Sequence, residues 1–242
     1  MLEFEDFVYL DVQKTGSTMI REFLASFART EIIYEKKHRP AERRDDDKLY
    51  IISCRDPLKQ YLSLYLHGHA GKGGLRARLN RAAMGHFYDG TNEGFAAWLD
   101  LLLDPVASQK YLKGMDNDRI LDFVGLQTLR FLKLAFPAPW SVFETLRDKA
   151  DVSDRLKTDA LYGVILKTES LIDDLKRLAT GEHAGLFRDT SEATAFLDAD
   201  RQKNASTNPG VDLKALSADR IARVQEREWF FFDHLGYPPY VS

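Results

Sequence analysis

Phe7-Val8-Tyr9-Leu10-Asp11-Val12-Gln13-Lys14-Thr15-Gly16-Ser17-Thr18 runs from a short apolar, β-favouring stretch into a lysine, a glycine and two hydroxyl residues. Phe7 to Leu10 suits a buried strand. Beyond it, Ile20, Phe23, Leu24 and Phe27 fall at helical spacing, which predicts a helix from Ser17 to Ala28. The segment therefore reads as strand, glycine-containing turn, helix. In such a turn successive backbone N–H groups and the helix dipole converge on an anion. Gly16 lets a ligand approach the backbone, Ser17 and Thr18 add hydroxyl donors, and Lys14 adds a full positive charge.

The same grammar returns at Leu49 to Ser53, an apolar strand that leads into Cys54-Arg55-Asp56-Pro57. Pro57 suits the first turn of a helix, along which Leu58, Tyr61, Leu62, Tyr65 and Leu66 form an apolar stripe. Lys59, Ser63 and His67 occupy the opposite, polar face. Arg55 stands at the carboxyl end of its strand, where ligands of parallel sheets bind. An arginine fork with a serine hydroxyl suits a terminal phosphate. A third strand, Gly163 to Leu166, precedes Thr168-Glu169 and a helix near Leu171 to Ala179, with Glu169 as a capping or pairing residue. Strands alternating with helices predict a parallel sheet covered on both faces.

Between roughly Thr91 and Lys149 helical periodicity dominates, with Phe95, Trp98, Leu99 and Leu102 as one stripe, so this stretch reads as a helical insertion over the sheet. Gly68 to Gly74 carries four glycines and reads as a flexible connection. Leu213 to Leu235 reads as one helix whose cluster Trp229 to Phe232 joins the core.

Composition bounds the remaining choices. With 242 residues and 44% hydrophobic content, one substantial core is affordable and one domain over 1–242 is expected. The 34 basic and 37 acidic residues leave a net charge of −3, so no global field draws nucleic acid or an anionic membrane, and any anion site is local. Cys54 is the sole cysteine, which rules out an intramolecular disulfide and a cysteine-based metal site and fits a reducing compartment. Met1 to Asp6 is acidic and the first apolar run is short, so the chain reads as cytoplasmic, with no signal peptide or membrane segment. Asp45-Asp46-Asp47 reads as a solvated charge run, and no metal is expected.

The anion loop differs from the Walker A pattern, in which lysine follows the last glycine. Here Lys14 precedes Gly16, which disfavours a nucleotide-dependent kinase. Val8 to Thr18 instead resembles the 5′-phosphosulfate loop of sulfotransferases, in particular their carbohydrate branch, where the loop reads Pro-Lys-Thr-Gly-Ser-Thr. Gln13 replaces the proline, a change that bears on loop rigidity and leaves the ligand-facing residues in place. Ile52 to Pro57, continued through Leu62-Ser63-Leu64-Tyr65, is similar to the 3′-phosphate site of that family. Weaker likenesses lie at Gly125 to Leu132, Val164 to Glu169, Asn204 to Ser206 and Phe232 to Tyr237, so the resemblance spans nearly the whole chain.

The resemblance implies a P-loop-like parallel sheet flanked by helices, with the helical insertion over the active site. It also implies metal-free, in-line transfer of a sulfuryl group from 3′-phosphoadenosine-5′-phosphosulfate (PAPS) to a hydroxyl of a small molecule or glycan, leaving adenosine 3′,5′-bisphosphate. Donor binding then falls to Lys14, Thr15, Gly16, Ser17, Thr18, Arg55 and Ser63. Lys203, with Arg201 and Asn204, belongs to a polar loop that closes over the donor in family fashion, the alternative being a merely exposed loop. Lys14 doubles as the catalytic cation. Histidine titrates near working pH, so His38 is the first choice of base, with His67 and His69 as alternatives and a place in a solvated loop as the competing reading of His38. A kinase, or an inactive nucleotide-binding or interaction protein, are the other functional classes open to this sequence.

Overall fold

The computed structural model describes residues 1–112, 118–199 and 208–240. In chain order the first half carries β1 (Leu2–Glu3), β2 (Phe7–Leu10), α1 (Ser17–Phe27), β3 (Tyr34–Glu35), β4 (Leu49–Cys54), α2 (Pro57–His69), α3 (Gly74–Arg81), α4 (Asn92–Leu103) and α5 (Pro105–Leu112). The second half carries α6 (Leu126–Ala135), α7 (Pro139–Phe143), α8 (Lys149–Asp159), β5 (Val164–Lys167), α9 (Leu171–Thr180), α10 (Thr190–Asp198), α11 (Ala218–Arg227) and α12 (Trp229–Asp233). The chain is α/β, with a five-stranded sheet flanked by helices. Among the described residues no helix is long and apolar enough to cross a membrane.

Two compact units share the chain. The first comprises Met1–Arg55, Phe131–Pro139 and Arg155–Ala205 and holds the sheet, in the order β3-β1-β2-β4-β5. β2, β4 and β5 are parallel, with Leu10 opposite Ile52 and Cys54 opposite Lys167. β1 and β3 are antiparallel to their neighbours, so the sheet is mixed rather than the all-parallel one the sequence predicts. The reason is chain length. Only Phe4, Glu5 and Asp6 separate β1 from β2, too few for the crossover a parallel pair needs, so the chain closes as a hairpin. Phe4 N donates to Phe7 O at 2.9 Å across that turn, and the two phenyl rings stack at 4.2 Å.

β2 is buried at every position, as befits a strand covered on both faces. Phe7, Tyr9 and Ile51 point to the layer built by Ile20, Phe23 and Leu24 of α1 and Leu171, Leu175 and Leu178 of α9, with Ala193 and Leu197 of α10 closing it. Burying a side chain of this size stabilises by about 1.5–3 kcal/mol, and this layer is what fixes where α1 begins.

The second unit comprises Asp56–Arg130, Trp140–Asp154 and Ser206–Ser242 and is helical. Tyr65, Tyr88, Phe95 and Trp98 form one aromatic cluster, with the Trp98 indole N–H donating to the Tyr88 hydroxyl at 2.9 Å. Gly68 lies inside α2, where a Cβ would stand 2.2 Å from the Tyr88 ring, so this glycine serves packing rather than a loose connection. The single helix expected over Leu213 to Leu235 is broken at Glu228 into α11 and α12. Glu228 has no exposed surface, and it accepts from Tyr61 OH, Gln127 N, Thr128 N and Thr128 Oγ1. Docking this carboxylate onto the first turn of α6 is what interrupts the helix.

Candidate functional site at the carboxyl edge of the parallel strands

β2, β4 and β5 end side by side, and their continuations bring together the Gln13–Thr18 loop, Arg55 and Thr168. The loop is pinned from beneath by hydroxyls. Thr15, with no exposed surface, donates through Oγ1 to Val12 O at 2.7 Å and lies 2.6 Å from Ser53 Oγ of β4, which in turn lies 2.8 Å from Tyr9 OH of β2. Burial raises the Tyr9 hydroxyl well above the usual phenol range, so it stays protonated in this ladder. The Thr15 side chain therefore faces the fold, and what Thr15 offers a ligand is its backbone N–H.

Two residues of the loop are left-handed: Lys14 at φ 67° and Gly16 at φ 80°. For Lys14 that conformation costs about 1–2 kcal/mol, which the ladder beneath it offsets. Gly16 is required twice over, since a Cβ there would also stand 2.9 Å from Leu171 Cδ2. As the N-cap of α1 it supplies no side-chain cap. Gly16 O accepts from Met19 N and Ile20 N, while the N–H groups of Thr15, Gly16, Ser17 and Thr18 donate to no described residue. Four successive unspent donors at the positive end of an eleven-residue helix make an anion nest.

Arg55 reaches this loop, with Nη1 3.4 Å from Lys14 O, and Thr168 Oγ1 donates to Cys54 O at 3.0 Å. The basic residues of the two strand tips thus belong to one locality. Beside β5, Asp174 accepts from Lys167 N at 2.8 Å and Ser170 Oγ at 3.0 Å.

His38 belongs to the same unit. Its N–H donates to Asp11 Oδ1 at 2.9 Å, and its Nδ1 lies 2.7 Å from Asp11 O. A carbonyl only accepts, so Nδ1 carries the proton in the neutral ring and Nε2 holds the lone pair. His38 itself is left-handed, at φ 56°, a strained setting of the kind concentrated at functional sites. Asp11 lies three residues before Lys14, so the histidine is tied to the start of the anion loop. Sequence reasoning passed over Asp11, Ser53 and Tyr9 because nothing local distinguishes them; they matter only once β2 and β4 are neighbours.

Of the other predicted site residues, some belong to the second unit and the rest lie outside the described residues. Ser63 is half-buried on α2 in the second unit, with Lys59 exposed and His67 half-buried on the same face. In that unit too, His69 Nδ1 is 3.0 Å from Tyr88 O. Lys203, Arg201 and Asn204 lie outside the described residues. Asp45 to Asp47 form an exposed turn, with Asp46 paired to Arg44 at 2.9 Å, in keeping with a solvated charge run.

No protein-family model matches the chain, and neither does any curated protein or solved structure.

Proposed function

We propose that the chain is a sulfotransferase that moves a sulfuryl group from PAPS to a hydroxyl of a sugar or glycan, on a sheet of P-loop-like type. The observation that carries this reading is the meeting of Lys14, Arg55 and four unspent backbone N–H groups at the tips of two adjacent parallel strands. The donor set fits a doubly anionic nucleotide. It consists of N–H groups and two cations, and Asp11, three residues before Lys14, is already engaged by His38 N and the Met1 amino group.

When bound, PAPS supplies the sulfuryl group and leaves as adenosine 3′,5′-bisphosphate. The loop N–H groups and Lys14 hold the 5′ side, and Lys14 neutralises the charge that grows on the bridging oxygen. Arg55 takes the 3′-phosphate with its planar fork. His38 Nε2 accepts the proton of the acceptor hydroxyl as its oxygen bonds to sulfur, with Asp11 O holding the ring in the required tautomer. Positioning and charge neutralisation then supply most of the acceleration, as in phosphoryl transfer.

The test is calorimetric titration with adenosine 3′,5′-bisphosphate and, separately, with ATP and magnesium. The expected result is preference for the bisphosphate, lost in Arg55→Ala. Tight magnesium-dependent ATP binding, or bisphosphate binding indifferent to Arg55, overturns the reading.

A further inference from the structure

One face of α11 borders open space although the opposite face is firmly docked. On the docked side Val224 is buried, Arg220 and Arg223 pair with Asp100 at 3.0 Å, and Arg227 donates to the carbonyls of Leu121, Asp122 and Val124. On the other side Ala218, Ile221, Ala222 and Gln225 recur at helical spacing, and all four line a cavity of about 590 Å³. Sites that take small molecules measure roughly 300–1,000 Å³.

Leu216, Trp229, Phe232 and Tyr240 supply the rest of the apolar and aromatic wall. The polar ends of these rings are engaged elsewhere in the helical unit. The Trp229 indole N–H donates to Phe123 O at 2.9 Å, and the Tyr240 hydroxyl accepts from Leu58 N at 3.0 Å and donates to Asp56 Oδ2 at 3.1 Å. Gln225 Oε1 is likewise taken, by Tyr240 N at 2.9 Å. What the three aromatic side chains offer the cavity is therefore ring surface. Ring faces carry partial negative charge and attract cations. Trp229 already draws one, with Lys149 Nζ 5.4 Å from its ring centroid, but Lys149 is not part of the cavity wall.

The only charged side chains that line the cavity are Glu226 and Asp233. Both are exposed, and neither carboxylate bonds to or pairs with a described residue. An aromatic-walled hollow edged by two unspent carboxylates and no cation complements a ligand that joins a positive charge to a hydrocarbon body.

We propose that this cavity binds a small organic ammonium ion. Its hydrocarbon part fills the space along α11, and its charge lies against the ring faces and the carboxylates of Glu226 and Asp233. The site lies wholly within the helical unit, and its occupancy does not depend on the sulfotransferase reading.

The experiment is calorimetric titration of the full chain with benzyltrimethylammonium chloride, beside benzyl alcohol as neutral probe and sodium benzoate as anionic probe, all at matched ionic strength. The cation is expected to bind saturably and the other two several-fold more weakly or not at all. Ala222 is exposed on α11, so Ala222→Phe fills the cavity from its surface side and is expected to abolish binding of the cation. Glu226→Gln combined with Asp233→Asn changes only exposed side chains; it weakens the cation several-fold and leaves benzyl alcohol as it was. Should Ala222→Phe fail to fold, the carboxylate variant decides. Absence of saturable cation binding, or benzyl alcohol or benzoate binding as tightly as the cation, overturns the proposal. So does a cation affinity unchanged in a folded Ala222→Phe or in the carboxylate variant. Binding of adenosine 3′,5′-bisphosphate is expected to be the same in Ala222→Phe as in wild type, so either proposal can fail without the other.

Discussion

The N-termini of α1 and α2 begin from similar sequence grammar and end in opposite states. At α2, Pro57 has no N–H to offer, Leu58 N donates to Tyr240 OH at 3.0 Å, and Lys59 N donates to Asp56 Oδ1 at 2.8 Å. That terminus is closed. At α1 the N-cap is a left-handed glycine without a side chain, and the N–H groups of Ser17 and Thr18 are open. A capped helix end is stabilised in itself, whereas an open one keeps its donors for something else. The difference teaches that a strand-to-helix junction has donors to offer an anion only where the fold forgoes the cap, and here forgoing it coincides with a strained lysine held by a buried hydroxyl ladder.

The largest expected effect tests whether the open terminus needs its cation. Lys14→Ala is expected to lower sulfuryl transfer by about 10²–10³-fold, the loss typical of one transition-state donor, with the circular dichroism of the fold unchanged. Turnover within a few-fold of wild type removes Lys14 from the chemistry. Next comes the backbone itself. Gly16→Ala forces a Cβ into the left-handed region and toward Leu171, and is expected to cost about 1–3 kcal/mol in chemical denaturation and to weaken bisphosphate binding. An unchanged affinity means the nest is not the ligand site.

Asp56→Ala sharpens the contrast from the other side, since it removes the side-chain cap of α2 and is expected to cost about 1 kcal/mol. No second sulfate site should appear by calorimetry, because Pro57 still lacks an N–H and Leu58 N remains bonded to Tyr240; a new site would show that an uncapped terminus alone suffices. The mildest test is alkaline titration followed by tyrosinate absorbance. Burial raises Tyr9 in the first unit and Tyr61 in the second above the unfolded value near 10. Their contribution to stability is therefore intact below that pH and is lost as pH rises past it. Both phenols are expected to ionise only with unfolding; early, reversible ionisation of either, seen in Tyr9→Phe and Tyr61→Phe difference spectra, contradicts that burial.

Much of this was legible along the chain. The strand at Phe7 to Leu10 coincides with β2, and α1, β4, α2, β5 and α9 lie within a residue or two of their predicted spans, because apolar periodicity and Gly and Pro punctuation act locally. β1 and β3 escaped notice because two residues carry no period, and with them the mixed character of the sheet. The break at Glu228 escaped too, since its cause is a carboxylate docking a hundred residues away in sequence. Lys14, Gly16 and Arg55 could be singled out by residue type and spacing, but the tie between His38 and Asp11 could not.

By itself, the sequence determined the parallel strand-to-helix units and the residue types of the loop between β2 and α1, since both follow from residue patterns spanning a dozen positions. Only the tertiary structure decided which N–H groups remain open, which way Thr15 turns its hydroxyl, and that Glu228 is buried against the first turn of α6. Those outcomes depend on how hydrogen-bond donors and acceptors far apart in the chain are shared out once packed, and no local pattern encodes that division.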